Sequence, residues 1–166
     1  MVAANAVFTI SDHGGVAVNG RILAVDPGEK RIGLAVSDPT ATISNPLRVI
    51  VHTARTVDAA LIAQEAADLE AVLIIVGQPL DEEGQPNTPQ ARHAAKLAQA
   101  IQEQTSIPVQ LWDESGSTKT AQAARRAMGV NRRKRAGHLD DLAAAVILQS
   151  YLDAQRGDPG VDWDGY

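Results

Sequence analysis

Two short apolar runs joined by a tight break constrain this chain more than any other feature. Residues 22–25 read Ile-Leu-Ala-Val, residues 32–36 read Ile-Gly-Leu-Ala-Val, and Asp26-Pro27-Gly28-Glu29-Lys30-Arg31 lies between them. Runs this short do not make buried helices, and Pro-Gly punctuates a reversal, so the pair is expected to form a β-hairpin. A third strand is expected at residues 47–51, just after Pro46.

Beyond the hairpin the pattern alternates. Val57, Leu61, Ile62, Glu65 and Leu69 fall at helical spacing. Residues 71–76 (Ala-Val-Leu-Ile-Ile-Val) form a continuous apolar run ended by Gly77, the mark of a strand covered on both faces. Residues 78–89 are rich in Pro and acid and read as a loop, with Gly77-Gln78-Pro79 as its sharp entry and a candidate substrate-contacting lid. Then come a helix at 90–104, a strand at 109–112, a helix at 117–128, a basic loop at 129–137 and a last helix at 139–154. The order βββ-α-β-α-β-α-α predicts an α/β fold. Its five-stranded mixed sheet has the first three strands antiparallel and helices on both faces. The ribonuclease H-like fold uses this order. Residues 1–20, with Gly14-Gly15 and Asn19-Gly20, read as an N-terminal extension carrying a strand or hairpin; 21–155 form the domain, and 156–166 a flexible acidic tail.

Composition narrows the chemistry. Hydrophobic residues make up 45% of the chain, yet only two Trp, two Tyr and one Phe are present, so aliphatic side chains must fill the core. With no cysteine, disulfides and thiolate metal sites are excluded, which suits a cytoplasmic setting. No apolar run approaches the ~20 residues of a membrane helix, and the first residues lack the basic and apolar regions of a secretion signal. Net charge is −5, but residues 115–139 hold no acid and contain Lys119, Arg125, Arg126, Arg132, Arg133, Lys134 and Arg135. A basic patch on an acidic body attracts a polyanion locally, because salt screens the field within ~8 Å; a solvated loop accounts for it equally well.

Three acidic positions fall where ligands gather in open α/β sheets, beyond the carboxyl ends of parallel strands. Asp26 closes the first core strand, Asp113-Glu114 closes the strand at 109–112, and Asp140-Asp141 opens the last helix. Together they would repel one another unless divalent cations neutralised them. Oxygen-only donors suit Mg2+ or Mn2+, and two such ions ~3.5–4 Å apart can activate water for phosphodiester hydrolysis. Each acid also has a purely structural reading, as a turn residue, a first-turn charge or an N-cap. Helical register separates the last pair. Steps from Asp140 reach Ala144, Ile147 and Tyr151, whereas steps from Asp141 reach Ala145, Gln149 and Asp153, so Asp140 belongs to the sheet-facing stripe. Lys30 and Arg31 are candidate phosphate contacts beside Asp26. Asp81-Glu82-Glu83 reads as a solvated loop face. Of the four histidines (13, 52, 93 and 138), only His138, two residues before Asp140, is placed to assist proton transfer, and a plain surface position accounts for it more readily.

The stretches ILAVDPGEKRIGLAVSD, IIVGQPLDEEG, LWDESGST and LDDLAAAVILQSYL resemble the YqgF family, also called RuvX, Holliday-junction-resolvase-like or pre-16S rRNA nucleases. The likeness runs from about residue 21 to residue 153. It implies the ribonuclease H-like fold and a divalent-metal endonuclease that matures the 5′ end of pre-16S rRNA. It also implies catalytic and metal-binding roles for Asp26, Glu114 and Asp140. Lys30, Arg31, Arg132, Arg133, Lys134 and Arg135 are the expected substrate contacts. One departure stands out: the family usually has an arginine directly after the Asp-Glu pair, and this chain has Ser115-Gly116.

The expected partner is nucleic acid, with pre-16S rRNA ahead of branched DNA, no membrane, and a monomer or homodimer. Alternatives are a resolvase of four-way DNA junctions and a non-catalytic RNA-binding ribosome-assembly factor. Asp-x-Gly after a first strand also occurs in actin-like phosphotransferases, but those clasp a nucleotide between two such domains.

Overall fold

The computed structural model describes residues 8–10, 16–114 and 139–156. Strands β1 (Phe8–Ile10) and β2 (Val16–Val18) pair antiparallel as a two-stranded sheet. The central sheet contains β3 (Ile22–Pro27), β4 (Arg31–Ser37), β5 (Ser44–Val51), β6 (Leu73–Gln78) and β7 (Val109–Asp113). Their spatial order is β5-β4-β3-β6-β7. β3, β4 and β5 pair antiparallel, while β3-β6 and β6-β7 are parallel. Helices α1 (Arg55–Asp68) and α2 (Pro89–Gln104) cover one face, and α3 (Leu139–Gln155) covers the other. This is the five-stranded mixed sheet that the order of apolar runs predicts. The helix expected at 117–128 and the basic loop at 129–137 lie outside the described residues, as do Ser115, His13, His138 and the tail beyond 156.

Strand alternation builds two cores at once. Leu23 and Val25 of β3 join Ile32, Leu34, Ile74 and Val76 beneath α1 and α2, against Ile62, Leu97 and Ile101. Ile22 and Ala24 join Ala35 and Ile75 beneath α3, against Ala144, Ile147, Leu148 and Tyr151. Each fully buried Leu or Ile contributes roughly 1.5–3 kcal/mol of transfer free energy, so aliphatic residues can fill the role that five aromatics cannot. α2 starts at Pro89, one residue before the expected position: Thr88 caps it, accepting from the Ala91 N–H at 3.1 Å, and Pro89 occupies the first turn.

Three further expectations shift. β5 starts at Ser44, three residues before the expected position, with Pro46 inside it. An edge strand tolerates a proline because its N–H side need not enter a ladder, and pairing is irregular between Leu34 and Ala35, beside Pro46. β6 starts at Leu73 and runs through Gly77 to Gln78. Ala71, expected in the strand, ends the preceding turn instead: Glu70 is left-handed (φ 54°) and the Ala71 N–H donates to Ala66 O.

The third shift is the rotation of α1. Val57 and Leu61, expected on its apolar stripe, are 47% and 42% exposed, while Asp58, Ala59, Ile62, Ala63 and Ala66 are buried. Alanines let the helix approach the sheet closely. The Asp58 carboxylate is held inside by His52 and by the Thr53 N–H (3.2 Å).

At the amino end of β3 the chain is fastened. The Ser37 hydroxyl accepts from the Ile22 N–H at 2.8 Å. Ser44 donates through its hydroxyl to Ala145 O (2.7 Å) and through its N–H to Gln149 Oε1 (3.1 Å), tying β5 to α3. Asp38 organises the loop between β4 and β5, accepting from the N–H groups of Ile43 (2.8 Å) and Thr42 (2.7 Å) and from the Thr40 hydroxyl. These donors hold its carboxyl well below the usual carboxylate range, the Ile43 N–H contributing most.

Candidate active site

Parity along β3 decides where Asp26 lies. Ile22 and Ala24 belong to the α3 face, and Asp26 continues that alternation at the carboxyl end of the strand. The turn after it is tight: the Gly28 N–H donates to Asp26 O at 3.1 Å, and a Cβ on Gly28 would stand 2.1 Å from Arg31 O. Only glycine fits there, so the Pro-Gly sequence that signals the hairpin also brings β4 back directly beside Asp26, opposite Gly33.

On the other flank β3 pairs with β6 through Ala24↔Ile75 and Val25↔Val76. Continuing that register by one residue sets Gly77 beside Asp26, on the same face as Ile75. β6 in turn pairs with β7 through Gln78↔Asp113, and the Glu114 N–H extends the contact by donating to Gln78 O at 3.2 Å. The Glu114 carboxylate lies over Gly77. A Cβ at Gly77 would be 2.3 Å from Glu114 Oε1 and 2.8 Å from Ile147 Cδ1. Asp26 and Glu114 thus flank one strand whose nearest residue has no side chain, under the helix that carries Ile147.

The same parity separates Glu114 from its neighbour. Trp112 packs with the α3 face, edge-on to Tyr151 at 5.0 Å between ring centroids, and its Nε1 donates to Ser150 Oγ at 3.4 Å. Glu114, two residues on, keeps that side and Asp113 takes the other. Burial raises the Tyr151 phenol above its ordinary pKa, so Tyr151 is a neutral packing residue.

Asp140 occupies the first turn of α3, four residues ahead of Ala144 and seven ahead of Ile147, both buried against the sheet. Leu148, Tyr151 and Leu152 are buried on the same side, while Asp153 is exposed, as the register argument expects. The side chains at 139–141 lie outside the described residues. Among those described, no cluster of three His, Asp or Glu groups that could hold a metal ion forms. A donor set made only of carboxylates, with room above Gly77 for one of them, fits Mg2+ or Mn2+.

Lys30 and Arg31 are both exposed at this end of the sheet. Arg31 shares parity with Gly33, which puts it on the face of Asp26, one pleat further out. Arg132, Arg133, Lys134 and Arg135 lie outside the described residues. The loop after β6 is held by Asp81, whose carboxylate accepts from the N–H groups of Glu83 (3.0 Å) and Gln85 (2.7 Å) and from Asn87 Nδ2 (3.1 Å). The acid of Asp81 therefore folds its own loop. Sequence reading passed over His52 and its partner Asp58; a buried aspartate inside a helix has no signature in hydrophobic periodicity.

A family model described as RuvX, Holliday junction resolvase, matches residues 20–154. A protein of Anaeromyxobacter sp. (strain Fw109-5) named "Putative pre-16S rRNA nuclease" is 38% identical over 136 residues, spanning 82% of this chain and 98% of its own. One from Syntrophus aciditrophicus (strain SB), with the same name, is 37% identical over 134 residues, spanning 81% and 89%. Among solved structures, Thermus thermophilus RuvC in complex with a Holliday junction superposes with a TM-score of 0.53 at 16% identity, covering 84% of this chain and 97% of that one. At that identity the likeness speaks for the fold.

Proposed function

Because the chain belongs to the RuvX family, we propose that it is a divalent-metal-dependent endonuclease hydrolysing phosphodiester bonds, with the 5′ end of pre-16S rRNA in the cytoplasm as its substrate. The observation that carries this reading is the pair Asp26 and Glu114 on either side of Gly77. The names of its relatives support the substrate.

In this reading Asp26, Glu114 and Asp140 hold Mg2+ or Mn2+, which when bound would polarise the scissile phosphate and ease ionisation of the attacking water. The chain's own contribution is position. β3 and β7 present their carboxylates from rigid strand ends, and the absent side chain at Gly77 lets Glu114 sit beside the central strand. Trp112 and Tyr151 pack β7 against α3. Arg31 and Lys30, with the basic segment 132–135, gather the phosphate backbone. Ser115, where the family usually has arginine, shifts more of that work onto those residues.

The test is an Asp140→Asn variant assayed with Mg2+ on precursor rRNA. Loss of a group that stabilises the transition state is expected to lower cleavage on the order of 10²–10³-fold; undiminished cleavage refutes the assigned role. A second reading, resolution of four-way DNA junctions, is favoured by the description of the family model. It needs a two-fold dimer to cut strands symmetrically. Side-by-side assays on junction DNA and precursor rRNA decide between the two. Binding without cleavage of either, with metal present, would point instead to a ribosome-assembly factor.

A further inference from the structure

Five large apolar side chains are exposed among the described residues: Ile43, Val51, Val57, Leu61 and Leu111. Single exposures of this kind are ordinary, so what matters is where each one stands. Val57 and Leu61 lie on the outer side of α1, and Ile43 lies in the loop before β5. Leu111 is out of phase with Trp112 and so takes the α2 side of β7. Val51 is the most exposed of the five, at 67%, and it differs from the others in its face. It pairs with Arg31, as Ile50 pairs with Ile32 and Val49 with Gly33. Ile50 and Ile32 are buried beneath α1 and α2, which leaves Val51 and Arg31 on the face of Asp26.

Register makes Val51 and Arg31 close neighbours. The His52 N–H donates to Lys30 O at 2.9 Å, so the next pair inward, Arg31↔Val51, is a non-hydrogen-bonded one. In such pairs the facing Cβ atoms stand about 4.5–5.5 Å apart. Both side chains are exposed, so a positive charge and an apolar surface sit side by side at the carboxyl rim. From Asp26, Arg31 lies one strand across and two residues outward, about 8 Å, and Val51 one strand further, about 12 Å. At a rise of about 3.4 Å per nucleotide, that interval spans a few nucleotides.

A nucleotide divides its chemistry in the same way. Its phosphate suits a guanidinium, and the apolar face of its base and ribose suits an aliphatic side chain. In a duplex that face is covered by the neighbouring base pairs, so only an unpaired base can lay it on a side chain. We propose that Val51, with Arg31 beside it, seats the base and ribose of an unpaired nucleotide within a few nucleotides of the cleaved bond. Arg31 takes the adjoining phosphate, and Val51 distinguishes single-stranded from paired substrate. The inference rests on the nuclease reading and deepens it by naming the substrate class: RNA that is single-stranded where it crosses the ends of β4 and β5.

The experiment measures binding of a fluorescein-labelled RNA single strand, and of the same strand annealed to its complement, by anisotropy and without Mg2+. Wild type is compared with Val51→Thr, which keeps the branched shape and adds a hydroxyl, with Val51→Tyr, and with Leu61→Thr as a control on α1. Val51→Thr is expected to raise the Kd for the single strand about 2–4-fold, and Val51→Tyr to lower it about 5–10-fold by stacking. Duplex binding stays at the wild-type value in both, and Leu61→Thr binds both RNAs as wild type does. Arg31→Ala, by contrast, weakens binding of both RNAs and lowers the salt slope on the single strand by about 0.7. Wild-type affinity for the single strand in both Val51 variants overturns the proposal, as does an equal change on single strand and duplex. So does a dimer in sedimentation that Val51→Thr dissociates while RNA binding is unchanged, since Val51 would then serve a second copy of the chain. Cleavage of the same RNA with Mg2+ is scored separately, so a wild type that binds single strands through Val51 but never cuts refutes the nuclease reading and not the subsite.

Discussion

The two faces of the central sheet are built from the same strands but in different sizes. Under α1 and α2, β3 and β4 present Leu23, Val25, Ile32 and Leu34. Under α3 the sheet also presents Ile22 and Ile75, but around Asp26 it narrows to Ala24, Ala35, Gly33 and Gly77. Large aliphatics fill the face under α1 and α2. Small residues on the other let a helix lie close, so that residues from β3, β7 and α3 can converge. One face stabilises the domain and the other is shaped to carry polar groups.

This contrast can be broken most sharply at Gly77. Its replacement by alanine puts a methyl 2.3 Å from Glu114 Oε1, and a displacement of about 1 Å in a catalytic group can cost about 10²-fold in rate. Gly77→Ala is therefore expected to lose about 10²-fold in cleavage of precursor rRNA while its urea midpoint moves little. A large stability loss with activity intact would show that the small residues serve packing alone. Ile62→Ala probes the opposite face. Ile62 is fully buried, and such a truncation costs about 2–5 kcal/mol, read as a lower urea midpoint, with specific activity of the folded fraction near wild type.

The smallest effect is expected at Asp38, in the loop between β4 and β5. Its carboxyl titrates low in the folded state, so its contribution is present above about pH 4 and is lost as pH falls below that. Asp38→Ala should thus narrow the difference in urea midpoint between neutral and acid solution, and leave cleavage unchanged. An unaltered acid profile would mean that other groups govern it.

The residues show how far pattern reading carries. Short apolar runs and the Pro-Gly turn are local, so β3, β4 and the position of Asp26 at a strand end are legible in the sequence. Helical register was legible for α3, where Ala144, Ile147 and Tyr151 are buried as expected. It misled for α1, because hydrophobicity counts Val57 and Leu61 as inward and Asp58 as outward. A buried hydrogen-bonded carboxylate and the three buried alanines Ala59, Ala63 and Ala66 outweigh that preference only once His52 and Thr53 are brought beside them.

What the sequence by itself determined is the order of elements, the aliphatic core and the acids at strand and helix ends, because each depends on neighbours in the chain. Tertiary structure supplied the reason that Glu114 rather than Asp113, the acid already implied by the resemblance, shares a side with Asp26, and alone decided that Gly77 makes the space between them and that His52 stands at the rim over a buried Asp58. Those outcomes depend on register between strands distant in sequence, and register is set by packing across the whole sheet.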